Sequence, residues 1–108
     1  MEMKHFIAIH TCFSEEARRA FIDNTKDLTH RQMIEGSSFE DARLMSQWMG
    51  KDEFFYCHWV ARDEDAIYGA LDKIGINDIV TTLAHEMSRF VNADNVSDEK
   101  VGDPDDDS

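Results

Sequence analysis

Residues 42–61 read ARLMSQWMGKDEFFYCHWVA, and they form two apolar segments on either side of Gly50-Lys51-Asp52. The first segment spans residues 42–49 and the second spans residues 53–61. A short connection with glycine between two such segments is typical of a β-hairpin. This stretch therefore predicts two strands that are neighbours in one sheet.

Upstream of the hairpin, residues 5–12 read HFIAIHTC and are apolar on both alternating faces, as expected of a central strand. Ser14 then suits the amino-terminal cap of a helix, with Glu15 and Glu16 at its positive end. Apolar residues recur on one face of this segment. We expect one helix from Ser14 to about Met33, followed by a break at residues 36–38.

Downstream of the hairpin, Asp63 is placed to cap a second helix whose apolar residues have 3.6-residue spacing, and Gly75 supplies its stop signal. Residues 78–91 are expected to form the last strand. The resulting order, βαββαβ, predicts an α+β domain with a four-stranded antiparallel sheet and two helices on one face. Within that sheet, we place the first and third strands as parallel neighbours.

The chain of 108 residues, with 42% hydrophobic content, is long enough for one core of ordinary size. We expect one folded domain over residues 1–91. Residues 92–108 contain seven acidic residues against Lys100 and few apolar ones, so they are expected to form a disordered acidic tail.

A net charge of -12, from 11 basic and 23 acidic residues, argues against a nucleic-acid partner, because phosphate binding needs clustered Lys and Arg. No apolar run approaches the roughly 20 residues that cross a bilayer, and the amino end does not resemble a secretion signal. We therefore predict a cytoplasmic protein without a membrane partner. In that setting, Cys12 and Cys57 are expected to be free buried thiols.

The segments FYCHWVA (residues 55–61), DEDAI (63–67) and Gly75-Ile76 resemble a family of small uncharacterised bacterial proteins with a described nickel-binding relative. The resemblance spans about residues 3–90. It implies a ferredoxin-like fold and membership of the wider dimeric α/β-barrel group, in which two sheets face each other and enclose a cavity. Independently of the resemblance, a sheet with helices on one side leaves Met45, Trp48 and Tyr56 too apolar to face water alone, which predicts a homodimer or larger ring.

Strand alternation places Tyr56 and His58 on one face of the third strand, and His10 on one face of the first. If both histidines point away from the helices, they lie close together on the open side of the sheet beside Tyr56. Imidazole nitrogen suits nickel, zinc and copper, so His10 and His58 are candidate metal ligands. His85 and Glu86 are adjacent in the last strand, so one of them joins this face, and His85 is the third candidate ligand.

The same residues allow other interpretations. His10 or His58 is a candidate general base, with Tyr56 as a hydrogen-bond donor, in an enzyme acting on a small organic substrate. Three residues are candidates for contacting a small-molecule ligand: Arg43, Trp48 and Tyr56. Strand histidines also serve as hydrogen-bonded wall residues, in which case the open sheet face only makes a homodimer. Three hypotheses follow: a homo-oligomeric metal-binding protein, an enzyme, and an interaction module without a ligand.

Overall fold

A computed structural model describes residues 2–105 of the chain as an α+β structure with one four-stranded sheet. The strands are β1 (Lys4–Cys12), β2 (Ala42–Met49), β3 (Phe54–Ala61) and β4 (Val80–Met87). The helices are α1 (Glu15–Thr25), α2 (His30–Gly36) and α3 (Glu64–Lys73), followed by a short 3₁₀ turn, Ala93–Asn95. In this part of the chain, no helix has the length and apolar character required to cross a bilayer.

The strand order is β2-β3-β1-β4, and every neighbouring pair is antiparallel. The predicted hairpin and the antiparallel sheet are therefore confirmed. The predicted parallel pairing of the first and third strands is wrong. After the helices, β2 runs in the same direction as β1. The tight hairpin then reverses the chain, so β3 lies between β1 and β2 and is antiparallel to both.

The predicted first helix is two helices, because a second amino-terminal cap interrupts it. Ser14 caps α1 by accepting a hydrogen bond from the Ala17 amide at 3.0 Å, as expected. Thr29 then begins α2 with a reciprocal capping box: its hydroxyl accepts from the Gln32 amide, and the Gln32 side chain accepts from the Thr29 amide. The free amides at the start of α2 are satisfied locally, so the chain can turn between the two helices.

Helix α3 supplies the largest apolar contribution to the core from the helical layer. Asp63 caps it by accepting from the Ala66 amide at 2.9 Å, and this hydrogen bond lowers the pKa of the Asp63 carboxyl. Its buried residues are Ala66, Ile67, Ala70 and Leu71. The helix ends at Lys73, and Gly75 follows its cap with a φ of 78°, a conformation that a residue with a side chain rarely adopts. The predicted cap and stop of this helix are confirmed.

The sheet has one face under the helices and one face without helices, which we call the open face. The first, helix-side face carries the buried strand residues Phe6, Ala8, His10, Cys12, Ala42, Leu44, Phe55, Cys57, Trp59, Ala61, Val80 and Ala84. The cross-strand pairing gives the open face His5, Ile7, Ile9, Thr11, Arg43, Ser46, Trp48, Phe54, Tyr56, His58, Val60, Thr81, Leu83, His85 and Met87. The choice between His85 and Glu86 is thereby made: His85 lies on the open face.

The last strand is shorter than expected, since β4 spans Val80–Met87 and not residues 78–91. Beyond it, residues 92–105 contain the 3₁₀ turn and isolated turn hydrogen bonds, such as that from the Asp94 amide to Asn92. Val96 and Val101 are both exposed. The division into a domain and a disordered tail stays a prediction, and the last three residues of that tail, 106–108, lie outside the described part.

Replacing Leu71 with Ala should destabilise the fold, because Leu71 is fully buried between α3 and the sheet. A Leu→Ala change at such a site costs about 2–5 kcal/mol, from lost burial and the cavity left behind. Urea unfolding followed by circular dichroism measures this cost. Val96→Ala is the matched control, because Val96 is 80% exposed, and it should change stability by less than about 0.5 kcal/mol. Equal effects of the two changes would contradict this account of the core.

Candidate functional site

The structure does not bring His10 and His58 together. In the pairing of β1 with β3, His10 lies opposite Phe55 on the helix side, whereas His58 lies opposite Ile7 on the open face. The predicted two-histidine site formed by His10 and His58 is therefore wrong. Tyr56 shares the open face with His58, as expected, but it too is separated from His10 by the sheet.

His58 instead pairs with His5, a residue that no sequence pattern indicates as a candidate. The Nδ1 atom of His5 and the Nε2 atom of His58 are 3.0 Å apart, and the ring centroids are 5.2 Å apart with an interplanar angle of 25°. Val60 is the partner of His5 across the strands, so His5 and His58 are diagonal neighbours on one face. We call these two side chains the histidine pair. Only the register of β1 against β3 reveals it.

The histidine pair lies in an open-face pocket of about 370 Å³. Its other walls are Ile7, Ser46, Trp48, Met87, Ser88, Arg89 and Phe90. The Phe90 ring stacks over His58 with centroids 6.3 Å apart. Partial burial in these apolar surroundings lowers the pKa of His58, and the neighbouring His5 lowers it further. The neutral form of His58 is therefore favoured at pH 7, and its Nε2 atom shares a hydrogen bond with Nδ1 of His5, in which one ring donates and the other accepts.

The remaining sequence-predicted residues are more dispersed. Of the three candidate ligand-contacting residues, Trp48 lines the open-face pocket, whereas Arg43 and Tyr56 lie on the same face outside it. His85 is exposed on the opposite side of β1 from His58, since both lie across from Ile7. Within residues 2–105, no group of three or more His, Cys, Asp or Glu side chains is arranged to hold a metal ion. The expected three-histidine set is not assembled in a single chain.

The four strands place no Asp or Glu on the open face, although the chain has 23 such residues. The face does carry large side chains that are strongly exposed, among them Trp48 and Leu83, each 62% exposed. Contiguous exposed apolar surface of this kind marks an interaction site in soluble proteins. The open face combines the features of an interface with two imidazoles whose ring nitrogens lie 3.0 Å apart.

His10 occupies a different environment, with no exposed surface. Its Nδ1 atom lies 2.7 Å from the Thr82 hydroxyl, and its ring stacks on Phe55 with centroids 4.7 Å apart. Burial lowers the pKa of His10 to about 4, so its imidazole is neutral at pH 7. Its Nε2 atom is buried and has no hydrogen-bond partner among the described residues.

Both cysteines are free and buried, as predicted. Burial raises the pKa of the Cys57 thiol to about 12, although the Gln47 side chain beside it opposes the shift. Because the thiolate is the nucleophilic form, Cys57 is unreactive at neutral pH. It acts as a small apolar residue of the core.

No family model, curated protein or solved structure matches this chain. The resemblance to small bacterial proteins with a nickel-binding relative therefore stays a prediction.

The free energy of unfolding should fall as the pH is lowered through the range in which His10 takes up a proton in the unfolded chain but not in the folded protein. The ordinary histidine pKa of 6.5 applies to the unfolded chain, and the folded pKa is about 4. The unfolded state therefore binds the proton first as pH falls. Neutral His10 therefore contributes up to about 3 kcal/mol to the free energy of unfolding. This contribution is complete above about pH 6.5 and is lost as the pH falls towards 4.

His10→Phe keeps an aromatic ring but cannot titrate, so it is the matched variant for this test. Urea unfolding of both proteins between pH 7.5 and pH 4.5 should show a steeper loss of stability in the parent protein. Carboxylates and the other histidines titrate in both proteins and cancel in the difference. A histidine NMR titration that gives folded His10 a pKa near 6.5 would refute the burial argument.

Proposed function

We propose that this protein is a ferredoxin-like protein that self-associates through its open face and binds a divalent transition metal ion at the histidine pair. The observation that carries the proposal is the short distance between the two imidazole nitrogens on an apolar sheet face without carboxylates.

The order of elements and the antiparallel order β2-β3-β1-β4 support the ferredoxin-like assignment, once α1 and α2 are counted as one interrupted crossover. All the helices pack on one side of the sheet. In the dimeric α/β-barrel arrangement, the other side of each sheet meets its counterpart in a second copy. The open face has the composition that this arrangement needs.

Charge distribution favours a second copy as the occupant of the open face. Two chains with a net charge of -12 repel each other, and the repulsion is strongest where carboxylates approach closely. The open face keeps such carboxylates away from the contact while it offers large apolar side chains for burial. Trp48, Tyr56 and Leu83 would lose their water contacts on association, which is the main favourable contribution to it.

The geometry of the histidine pair matches that of two ligands on one ion. Metal–nitrogen distances of about 2.0–2.1 Å place neighbouring imidazole nitrogens roughly 2.8–3.4 Å apart, for coordination angles between about 90° and 109°. The observed separation of 3.0 Å lies within this range; in the metal-free protein it is the length of a hydrogen bond between the two rings, which a bound ion would replace. His58 is neutral at pH 7, so it needs no deprotonation before it binds. Nickel, copper and zinc are the ions that imidazole suits.

A pair of imidazoles leaves coordination positions for water or for side chains of a second copy. The site would therefore be weaker in a monomer than in an assembly that brings two open faces together. This links the two parts of the proposal: self-association excludes water from the histidine pair, and a bound ion bridges the strands that carry it.

The enzyme hypothesis ranks below metal binding. A general base works best when its pKa is near the operating pH, whereas the pKa of His10 is about 4, and burial together with the neighbouring His5 lowers the pKa of His58 below its usual value. Tyr56, the expected hydrogen-bond donor, lies on the other face of the sheet from His10. Cys57 is not activated as a nucleophile.

The parent protein should sediment as a dimer, with twice the chain mass of 12.5 kDa, at micromolar concentration. Leu83→Glu introduces a carboxylate into the open face and should give a folded monomer. Phe13→Glu is the matched control, because Phe13 is an exposed apolar residue outside the strands, and it should stay dimeric. Sedimentation velocity and circular dichroism measure both properties. A monomeric parent protein would exclude self-association through this face.

Untagged protein should bind Ni²⁺, Cu²⁺ or Zn²⁺ in calorimetric titrations at pH 7.5. His5→Ala and His58→Ala should each weaken binding by about tenfold or more, because one of two ligands is lost. His85→Ala is the matched control, since His85 is an exposed histidine on the same face, and it should bind like the parent protein. If all three variants bind alike, the histidine pair is not the site.

A further inference from the structure

The wall of the open-face pocket includes one permanently charged side chain among the described residues, that of Arg89. No Asp, Glu or Lys of residues 2–105 belongs to this wall, although the whole chain has a net charge of -12. Arg89 follows Ser88 just beyond the end of β4, and its side chain is exposed. The pocket therefore carries a local charge opposite in sign to that of the protein.

Arg89 forms no ion pair with a carboxylate within the described part of the chain. The arginines of the helices and of the connection after β3 lie 3.9 Å or less from a carboxylate oxygen; they are Arg18, Arg19, Arg31 and Arg62. The guanidinium of Arg89 instead donates one hydrogen bond, to the Gly102 carbonyl at 3.0 Å. Since a guanidinium has five N–H donors, the others are left for an anion.

The carboxylates that compete for Arg89 lie in the segment after β4, where Asp103 follows Gly102. The helices carry many of the other acidic residues, and they lie on the opposite side of the sheet. Salt at 0.15 M screens charges beyond about 8 Å, so these distant carboxylates have little effect on an anion in the pocket. Such an anion interacts mainly with Arg89, and competition from the nearby segment makes millimolar affinity the expected range.

The remaining walls favour a ligand with an apolar body. Trp48 is 62% exposed and Phe90 is 76% exposed, so each has ring surface that a ligand can cover. The hydroxyls of Ser46 and Ser88, which also line the pocket, can donate hydrogen bonds to an anion. The volume, about 370 Å³, is at the lower end of the range of about 300–1,000 Å³ for ligand sites and suits a molecule of one ring.

We propose that the open-face pocket binds a small aromatic carboxylate, whose ring packs against Trp48 and Phe90 and whose carboxylate pairs with Arg89. A guanidinium and a carboxylate match in shape and form two parallel hydrogen bonds, which selects carboxylates over other anions. The proposal goes beyond metal binding and self-association, because these contacts belong to one chain and none of them is a proposed metal ligand. Arg89 takes the role that the sequence suggested for Arg43.

Three probes test the proposal: benzoate, benzamide and acetate. Benzoate has both the ring and the charge, benzamide has the same shape without the charge, and acetate has the charge without the ring. In ¹H–¹⁵N NMR titrations with EDTA and at constant ionic strength, benzoate should shift the Trp48 indole resonance in a saturable manner at millimolar concentration. Benzamide and acetate should bind about fivefold more weakly or less, because each lacks one contact.

The indole resonance of Trp59 is an internal reference for these titrations. Trp59 is 1% exposed on the helix-side face of the sheet, so its resonance should stay in place while that of Trp48 moves. A shift of both resonances would indicate a change of the whole fold and would contradict binding in the open-face pocket.

Two variants locate the carboxylate. Arg89→Gln removes the charge from an exposed residue and should weaken benzoate binding by about fivefold, the upper range for a solvent-exposed ion pair. Arg43→Gln is the matched control, because Arg43 is an exposed arginine on the same face outside the pocket, also without an ion pair in residues 2–105. This variant should bind benzoate like the parent protein.

The proposal is overturned if benzoate leaves the Trp48 indole resonance unchanged, or if benzamide binds as tightly as benzoate. It is also overturned if Arg89→Gln and Arg43→Gln have equal effects, since the net charge of the protein then accounts for the binding. EDTA removes metal ions from these titrations, and self-association is measured without benzoate. Failure of either part of the proposed function therefore leaves these outcomes unchanged.

Discussion

The antiparallel register of β1 against β3 determines which side chains share each face of the sheet. Ala8 lies opposite Cys57 in this register, and the pairs on either side of it alternate between the helix layer and the open face. A shift of one residue would exchange the two faces of one strand relative to the other. The shift would bury His58 and expose His10, so the histidine pair depends on this pairing. Buried residues of α3, such as Ile67 and Leu71, oppose the shift because they need an apolar surface to cover.

The same register places His10 and His58 in different environments. His10 is fully enclosed, stacked on Phe55 and held neutral by burial, and its Nε2 atom has no partner in the described chain. His58 is only partly buried, and it is neutral both because of its apolar surroundings and because another imidazole lies 3.0 Å away. His10 is suited to a role within the core, beside the Thr82 hydroxyl, and His58 to sharing an ion with its neighbour.

Charge is distributed unevenly over the surface. The chain is strongly acidic, yet the four strands place no carboxylate on the open face. This absence of carboxylates favours contact between two copies of the chain. Within the described residues, Glu86 lies in β4 on the helix-side face, and the other acidic residues lie on the helices, the connections and the segments before β1 and after β4.

Sequence patterns by themselves determined the order of the strands along the chain, the hairpin at residues 50–52, the caps of α1 and α3 and the stop at Gly75. These features depend on contacts between residues close in the chain, so local composition is sufficient to predict them. The second cap at Thr29 was also encoded locally, although the apolar pattern running through it concealed it. The partner of His58 and the solvent exposure of His10 could not be read in this way. Alternation within a strand says which residues share a face but not which face is covered, and only the packing of three helices against one side of a registered sheet decided that.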